Sequence, residues 1–202
     1  MIKRRVILAA AAVLFASSAH AAEHTPSPAV ADHAAQSEPE WAGDNTSSLI
    51  VGDPAPAFSY LGLDGAWHDS RRLGTGDAVL LVFGARNEEL VGLDRMQSAF
   101  DELGVHSVAV LDMRAGSAVR LARRLALTCR VVVDPKCAIA GLYGSLDPVT
   151  RRHAPAFFVV DARGTIRGVG RGSLPSAHEL ITISARSLGQ PLPANWSVSE
   201  AD

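Results

Sequence analysis

Two residues of the sequence can supply a thiol, Cys129 and Cys137. The thiolate is the reactive form, and a helix N-terminus or a nearby cation favours it. Asp134-Pro135 is typical of a helix start, with Asp134 as the cap and Pro135 at the first helical position. The pattern predicts Cys137 in the first helical turn beside Lys136, where both features lower the pKa of an exposed thiol. Cys137 is therefore the candidate catalytic residue, with a small packed side chain as the alternative.

A disulfide between Cys129 and Cys137 is not expected. If residues 129–134 are extended, they span about 16 Å at ~3.3 Å per residue. A disulfide needs Cα atoms within about 7 Å of each other. Cys129 itself is interpreted as part of a buried strand.

Other chemistries have little support in the sequence. It contains no His-Glu-x-x-His pattern and too few cysteines for a Cys-x-x-Cys framework, so no metal site and no cofactor are expected. No Gly-x-Ser-x-Gly elbow and no phosphate-binding glycine loop is present. A net charge of -2 with scattered basic residues argues against nucleic acid as a partner.

The elements that must position these residues follow from the apolar pattern. The continuous apolar run over residues 78–83 predicts a buried strand, and apolar-rich segments predict further strands over 105–111, 131–133 and 157–160. A turn at 162–164 leads into a further strand over 166–169, which completes a β-hairpin. Apolar residues at helical spacing predict a helix from Leu90 to Leu103, others around 118–125 and after Asp134, and a last one behind the capping box that begins at Ser176. The order predicts an α/β protein with a mixed central sheet flanked by helices, in the thioredoxin-like arrangement.

The chain also carries an expected export signal. Lys3-Arg4-Arg5 precedes an apolar run over 6–16, and Ala19-His20-Ala21 is a small-x-small cleavage site. We expect a signal peptide over 1–21, a flexible leader over 22–48, one domain over 49–190 and a C-terminal tail over 191–202. The expected location is periplasmic, with no membrane span in the mature chain; an uncleaved anchor is the alternative.

Several segments together resemble a known family, the redoxins, which comprise the peroxiredoxins (alkyl hydroperoxide reductase C / thiol-specific antioxidant, AhpC/TSA) and the thioredoxin-like thiol oxidoreductases. The resemblance covers about Val51 to Gly172. It rests on the order and spacing of segments 51–58, 61–65, 79–83, 131–135, 142–144 and 155–164.

The resemblance implies thiol-dependent oxidoreductase or peroxidase activity, with an attacking cysteine at the N-terminus of the helix after strand 79–83. The corresponding stretch here, residues 84–90, contains no cysteine. Asn87 is expected to cap that helix, with Glu88 and Glu89 in its first turn, where their charge raises the pKa of any nearby thiol. These carboxylates are interpreted as helix-stabilising surface groups, with an acid or base role as the alternative. Whether the protein is an enzyme is therefore open.

Pro155 marks a second departure from the peroxiredoxins, which carry an arginine at this point. The proline resembles the oxidoreductase branch, where it is cis and faces the active site, so a cis Ala154–Pro155 bond is expected. The alternative is a scaffold role at the start of a strand.

We expect an exported redoxin that is catalytically degenerate and acts as a periplasmic binding or interaction module for a protein or small ligand. The predicted binding patch is Arg86, Asn87, Glu88 and Pro155. One alternative is an antioxidant oxidoreductase or peroxidase that uses Cys137. Another is an assembly partner that acts through the tail containing Trp196.

Overall fold

The computed structural model describes residues 48–194 and residue 196. The predicted signal peptide and nearly all of the predicted leader lie outside these residues. No helix among the described residues has the length and apolar character needed to cross a membrane.

A seven-stranded sheet forms the centre of the protein, with strand order β2-β1-β5-β4-β3-β6-β7. β3, β4 and β5 are mutually parallel, and the remaining pairings are antiparallel. In chain order the strands are β1 (Ser59–Leu61), β2 (Trp67–Asp69), β3 (Ala78–Phe83), β4 (Val105–Leu111), β5 (Arg130–Val133), β6 (Ala156–Val160) and β7 (Ile166–Arg171).

Among the described residues, five α-helices accompany the sheet, and a 3₁₀ turn (Ser70–Arg72) follows β2. The helices are α1 (Asn87–Arg95), α2 (Gln97–Glu102), α3 (Ala115–Leu125), α4 (Ala138–Leu142) and α5 (Ala177–Leu188). Alternate side chains of β3 enter two different cores, since Leu80 packs with α2 and α5 while Leu81 packs with α4. Both faces of the central strands are therefore buried, as expected for continuous apolar runs.

The predicted fold class, the strands, the β6–β7 hairpin and the capping box of α5 are confirmed. The helix predicted from Leu90 to Leu103 is wrong as a single element. It breaks at Met96, whose φ of -96° and ψ of 8° are not helical. The break directs α2 toward β4, where the Ser107 hydroxyl donates to the Gln97 side-chain oxygen at 2.8 Å.

The tail after α5 packs on its own domain. Trp196 contacts the core beneath α5, and its indole stacks on the His178 ring with 4.1 Å between ring centroids. This packing makes the indole less available for contact with another protein. The alternative in which the tail containing Trp196 binds an assembly partner is therefore less favoured.

Candidate functional site

The end of β3 and the start of α1 form the region where the resemblance places thiol chemistry. Residues 84–90 contain no cysteine. The start of α1 also differs from the prediction. The N-cap residue is Arg86, not Asn87. The Glu89 carboxylate accepts hydrogen bonds from the Arg86 backbone N–H at 2.6 Å and from its guanidinium at 2.7 Å. This reach-back from the third helical position satisfies the free N–H and makes an asparagine cap unnecessary.

The charges at this helix start are paired with each other. Partial burial raises the pKa of Glu89, but the hydrogen bonds from Arg86 outweigh burial and hold it below its usual range. Glu89 is therefore a carboxylate at neutral pH, and the Arg86 guanidinium forms an ion pair with it. A closed ion pair of this kind stabilises the helix end and does not suit an acid or base that must exchange protons.

Pro155 lies directly behind this helix start. Gly84 has a φ of 66°, and a Cβ on it would lie 2.8 Å from the Pro155 nitrogen. The expected cis bond before Pro155 is wrong, because every peptide bond of the described chain is trans. Hydrogen bonds on both sides hold the trans arrangement: Ala154 N–H donates to the Ser145 oxygen, and the Pro155 oxygen accepts from Gly172 N–H. Trans is also the intrinsically preferred form.

The helix after Asp134 begins later than predicted, at Ala138 instead of Pro135. Cys137 precedes it in a left-handed conformation with a φ of 53°, and its N–H donates to the Asp134 oxygen in a tight turn. The Asp134 carboxylate reaches past this turn and accepts from Ala140 N–H at 3.0 Å. Cys137 therefore lies before the helix, not in its first turn.

The surroundings of Cys137 disfavour its thiolate, contrary to the expected lowering of its pKa. Burial raises the pKa of this thiol, the Asp134 and Asp112 carboxylates raise it further, and Arg152 and Arg151 offset only part of the effect. The prediction considered Lys136 and the helix start but not the charges of the Asp134 and Asp112 carboxylates.

Cys129 is buried, and this burial raises the pKa of its thiol to about 11, with Asp94 adding to the effect. Both thiols are free, in agreement with the expected absence of a disulfide between them. At both positions, burial and carboxylate charge favour the neutral thiol over the thiolate.

A buried histidine–aspartate pair lies near this site and was not predicted. His153 Nε2 is 3.0 Å from Asp134 Oδ2, and the two side chains are only 2% and 4% exposed. The other ring nitrogen of His153 lies 3.3 Å from the Val110 oxygen, and the ring edge packs on Phe83. No local motif signals this pair, because α4 and the loop that follows it separate Asp134 from His153 in the sequence.

A small cavity opens between these elements at the carboxyl ends of β3 and β4. Its volume is about 70 Å³. Its polar lining residues are Asn87, Asp112 and His153, and the other walls are Gly84, Ala85, Leu90, Val110, Leu111, Met113 and Leu121. The Asp112 carboxylate is bound by the Arg152 guanidinium at 2.5 Å, so its charge is balanced at the cavity wall. A space of this size admits a side-chain-sized group with a polar tip.

The structure divides the predicted binding patch. Asn87 lines the cavity, and it also borders a neighbouring shallow groove together with Glu88. Arg86 is engaged by Glu89, and Pro155 packs behind Gly84. Asp112 and His153 are the cavity residues that sequence reasoning missed.

The parallel centre, the C-terminal hairpin and a site at the start of α1 define a redoxin-type protein of the thioredoxin-like fold. The family model described as AhpC/TSA matches residues 51–169, and the chain belongs to this family. No curated protein matches it in sequence.

Solved structures with the same fold include peroxiredoxins and a protein described as a thiol:disulfide interchange protein. Peroxidoxin BcpB from Mycobacterium tuberculosis superposes with a TM-score of 0.62 at 14% identity, over 69% of this chain and 96% of that one. AhpC from Enterococcus faecalis gives a TM-score of 0.62 at 16% identity, over 69% and 92%. A Chlorobium tepidum protein described as a thiol:disulfide interchange protein DsbE gives 0.58 at 28% identity, over 70% and 100%.

Proposed function

We propose that this member of the AhpC/TSA family has lost thiol catalysis and acts as a binding module in the periplasm. The observation that carries the proposal is the start of α1. Residues 84–90 contain no cysteine, and Arg86 and Glu89 form an ion pair there. Redoxin chemistry needs a thiolate at that point, stabilised by free N–H groups and the helix dipole.

The remaining thiols do not replace the missing one. Cys129 is buried, and burial together with the charges of Asp134 and Asp112 raises the pKa of Cys137. A cysteine held mainly as the neutral thiol attacks peroxides and disulfides slowly, because the thiolate is the nucleophile.

The binding surface of the proposal is the cavity beside Asn87, with Asp112 and His153 as its other polar groups. Its surface combines these polar groups with apolar walls, so it can receive a group that has both characters. Its size suits one inserted group of a protein or of a small ligand. Location in the periplasm rests on the signal peptide predicted from residues 1–21.

Assays of peroxide consumption and insulin reduction test the loss of catalysis. We expect the wild-type protein and Cys137→Ser to give the same rate as buffer alone, since no thiolate is stabilised. Iodoacetamide labelling of Cys137 at pH 7 is expected to be slower than that of free cysteine, because its pKa lies above the ordinary 9.0. Cys129→Ser serves as the matched variant that isolates Cys137. Turnover at enzymatic rates that disappears in Cys137→Ser contradicts the proposal.

Site-specific photocrosslinking in the producing cell tests the binding role. A photoreactive phenylalanine analogue replaces Asn87, which is exposed at the cavity mouth, or Glu102, which is exposed on α2. We expect a covalent adduct from position 87 and none from position 102. Equal yields at both positions, or no adduct at position 87, would remove the cavity from the proposal.

A further inference from the structure

The two outer strands of the sheet differ in how their free edges are covered. The start of β7 is paired with the incoming chain, since Gly52 N–H donates to the Ile166 oxygen at 2.8 Å and Ile166 N–H to the Asp53 oxygen at 2.9 Å. β2 pairs only with β1. Within residues 48–194, no segment covers the other edge of β2. An uncovered strand edge is a template for pairing with another chain.

The hydrogen-bond alternation shows which backbone groups of β2 face outward. Ser70 N–H donates to the Phe58 oxygen at 2.8 Å, and Gly62 N–H donates to the Ala66 oxygen at 2.9 Å. Bonded and non-bonded positions alternate in an antiparallel pair, so the backbone groups of Trp67 and Asp69 point away from β1.

The side chains along this edge have opposite charges at its two ends. Asp64, in the turn before β2, has a side chain that is 59% exposed. Arg71 and Arg72 follow β2 and are both exposed. Between the two ends lies the Trp67 indole, which is 74% exposed. An exposed indole flanked by arginines is the composition typical of an interface anchor.

We propose that β2 pairs antiparallel with β2 of a second copy of this chain, about a two-fold axis at His68. In this register Trp67 of each copy lies opposite Asp69 of the other. Asp69 N–H of each copy then donates to the Trp67 oxygen of the other copy. The arrangement is self-complementary, as a two-fold interface requires.

Charge complementarity supports a second copy as the occupant of this edge. Antiparallel pairing places the Asp64 end of one copy beside the Arg72 end of the other, and the symmetry repeats this contact. Arg72 makes no ion pair among the described residues, so its charge is available for it. The strand has three residues. The interface is therefore small, and we expect a dissociation constant weaker than about 1 µM.

Sedimentation velocity over a concentration series, with charge-reversed variants alone and mixed, tests the pairing. We expect Arg72→Glu alone and Asp64→Lys alone to weaken self-association at least about tenfold, because each places like charges at both symmetric contacts. An equal mixture of the two variants restores both opposite-charge contacts. The mixture is therefore expected to associate as tightly as the wild-type protein.

Two further variants separate this result from a folding defect. Asp64→Asn retains an acceptor for Ala66 N–H, which Asp64 binds at 3.0 Å, and is expected to weaken association less than Asp64→Lys. Trp67→Ala removes the exposed indole and is expected to weaken association without lowering the thermal midpoint. A wild-type protein that stays monomeric at about 1 mM, about a thousandfold above a dissociation constant of 1 µM, overturns the proposal. A mixture of Arg72→Glu and Asp64→Lys that associates no better than either variant alone also overturns it.

Discussion

Replacing Asp134 with alanine is expected to lower the free energy of unfolding by about 1–3 kcal/mol, because it leaves the buried His153 ring without its hydrogen-bond partner. The substitution also removes the acceptor that Ala140 N–H uses at the start of α4. Urea unfolding at pH 7, followed by circular dichroism, measures the change.

Two matched variants accompany this measurement. Asp134→Asn keeps an acceptor for Ala140 N–H and is expected to lose less. Glu102→Ala removes an exposed carboxylate on α2 and is expected to change stability by less than about 0.5 kcal/mol. A loss of under about 1 kcal/mol for Asp134→Ala would show that the His153–Asp134 contact contributes little.

The same pair predicts a pH dependence. Burial raises the pKa of Asp134, but hydrogen bonds from His153 and from the Ala140 and Ile139 amides lower it more, so it lies below 3.8 in the folded protein. Its stabilising contribution is therefore present above the unfolded value of 3.8 and is lost as the pH falls through the lower folded value. We expect the stability difference between the wild-type protein and Asp134→Asn to be constant down to about pH 4 and to shrink below it. A difference that instead grows on acidification would contradict the lowered pKa of Asp134.

Replacing Phe83 with alanine is expected to lower the free energy of unfolding by about 3–5 kcal/mol, because it removes a large core side chain at the end of β3 and leaves a void. The Phe83 ring is fully buried, and its centroid lies 5.5 Å from that of Tyr143 and 5.9 Å from that of Phe158. The His153 ring packs at 5.6 Å on another side. Urea unfolding gives the stability change, and the His153 ring signals in a proton NMR spectrum report whether the neighbouring pair is displaced.

Phe83→Leu is the matched control for this prediction, since it keeps much of the apolar volume and loses the aromatic contacts. We expect it to cost clearly less than Phe83→Ala. Equal losses in the two variants would mean that ring contacts, and not the cavity left behind, dominate the energetics at this position.

Much of the fold can be predicted because its strands are local patterns. The apolar-rich segments 78–83 and 105–111 become β3 and β4 with unchanged bounds, since strands buried on both faces are composed mainly of apolar residues. The Ser176–Glu179 capping box likewise contains its own hydrogen-bond partners. The hairpin of β1 and β2 is less visible, because each of its strands has only three residues.

The start of α1 shows where local reasoning reaches its limit. Asn87 is a good cap by residue type, yet Arg86 takes that position because the Glu89 side chain folds back onto its N–H. Both alternatives use residues of the same turn, and only the folded geometry selects between them.

The sequence by itself determined the redoxin arrangement of strands and helices and the lack of a cysteine after β3, since both are written in consecutive residues. Only the tertiary structure decided the state of Cys137 and the His153–Asp134 pair. The physical reason is that burial and Coulomb interactions act through space. Asp112, Asp134 and His153 come from separate segments, and the sheet must form before any of them can act on another or on the thiol.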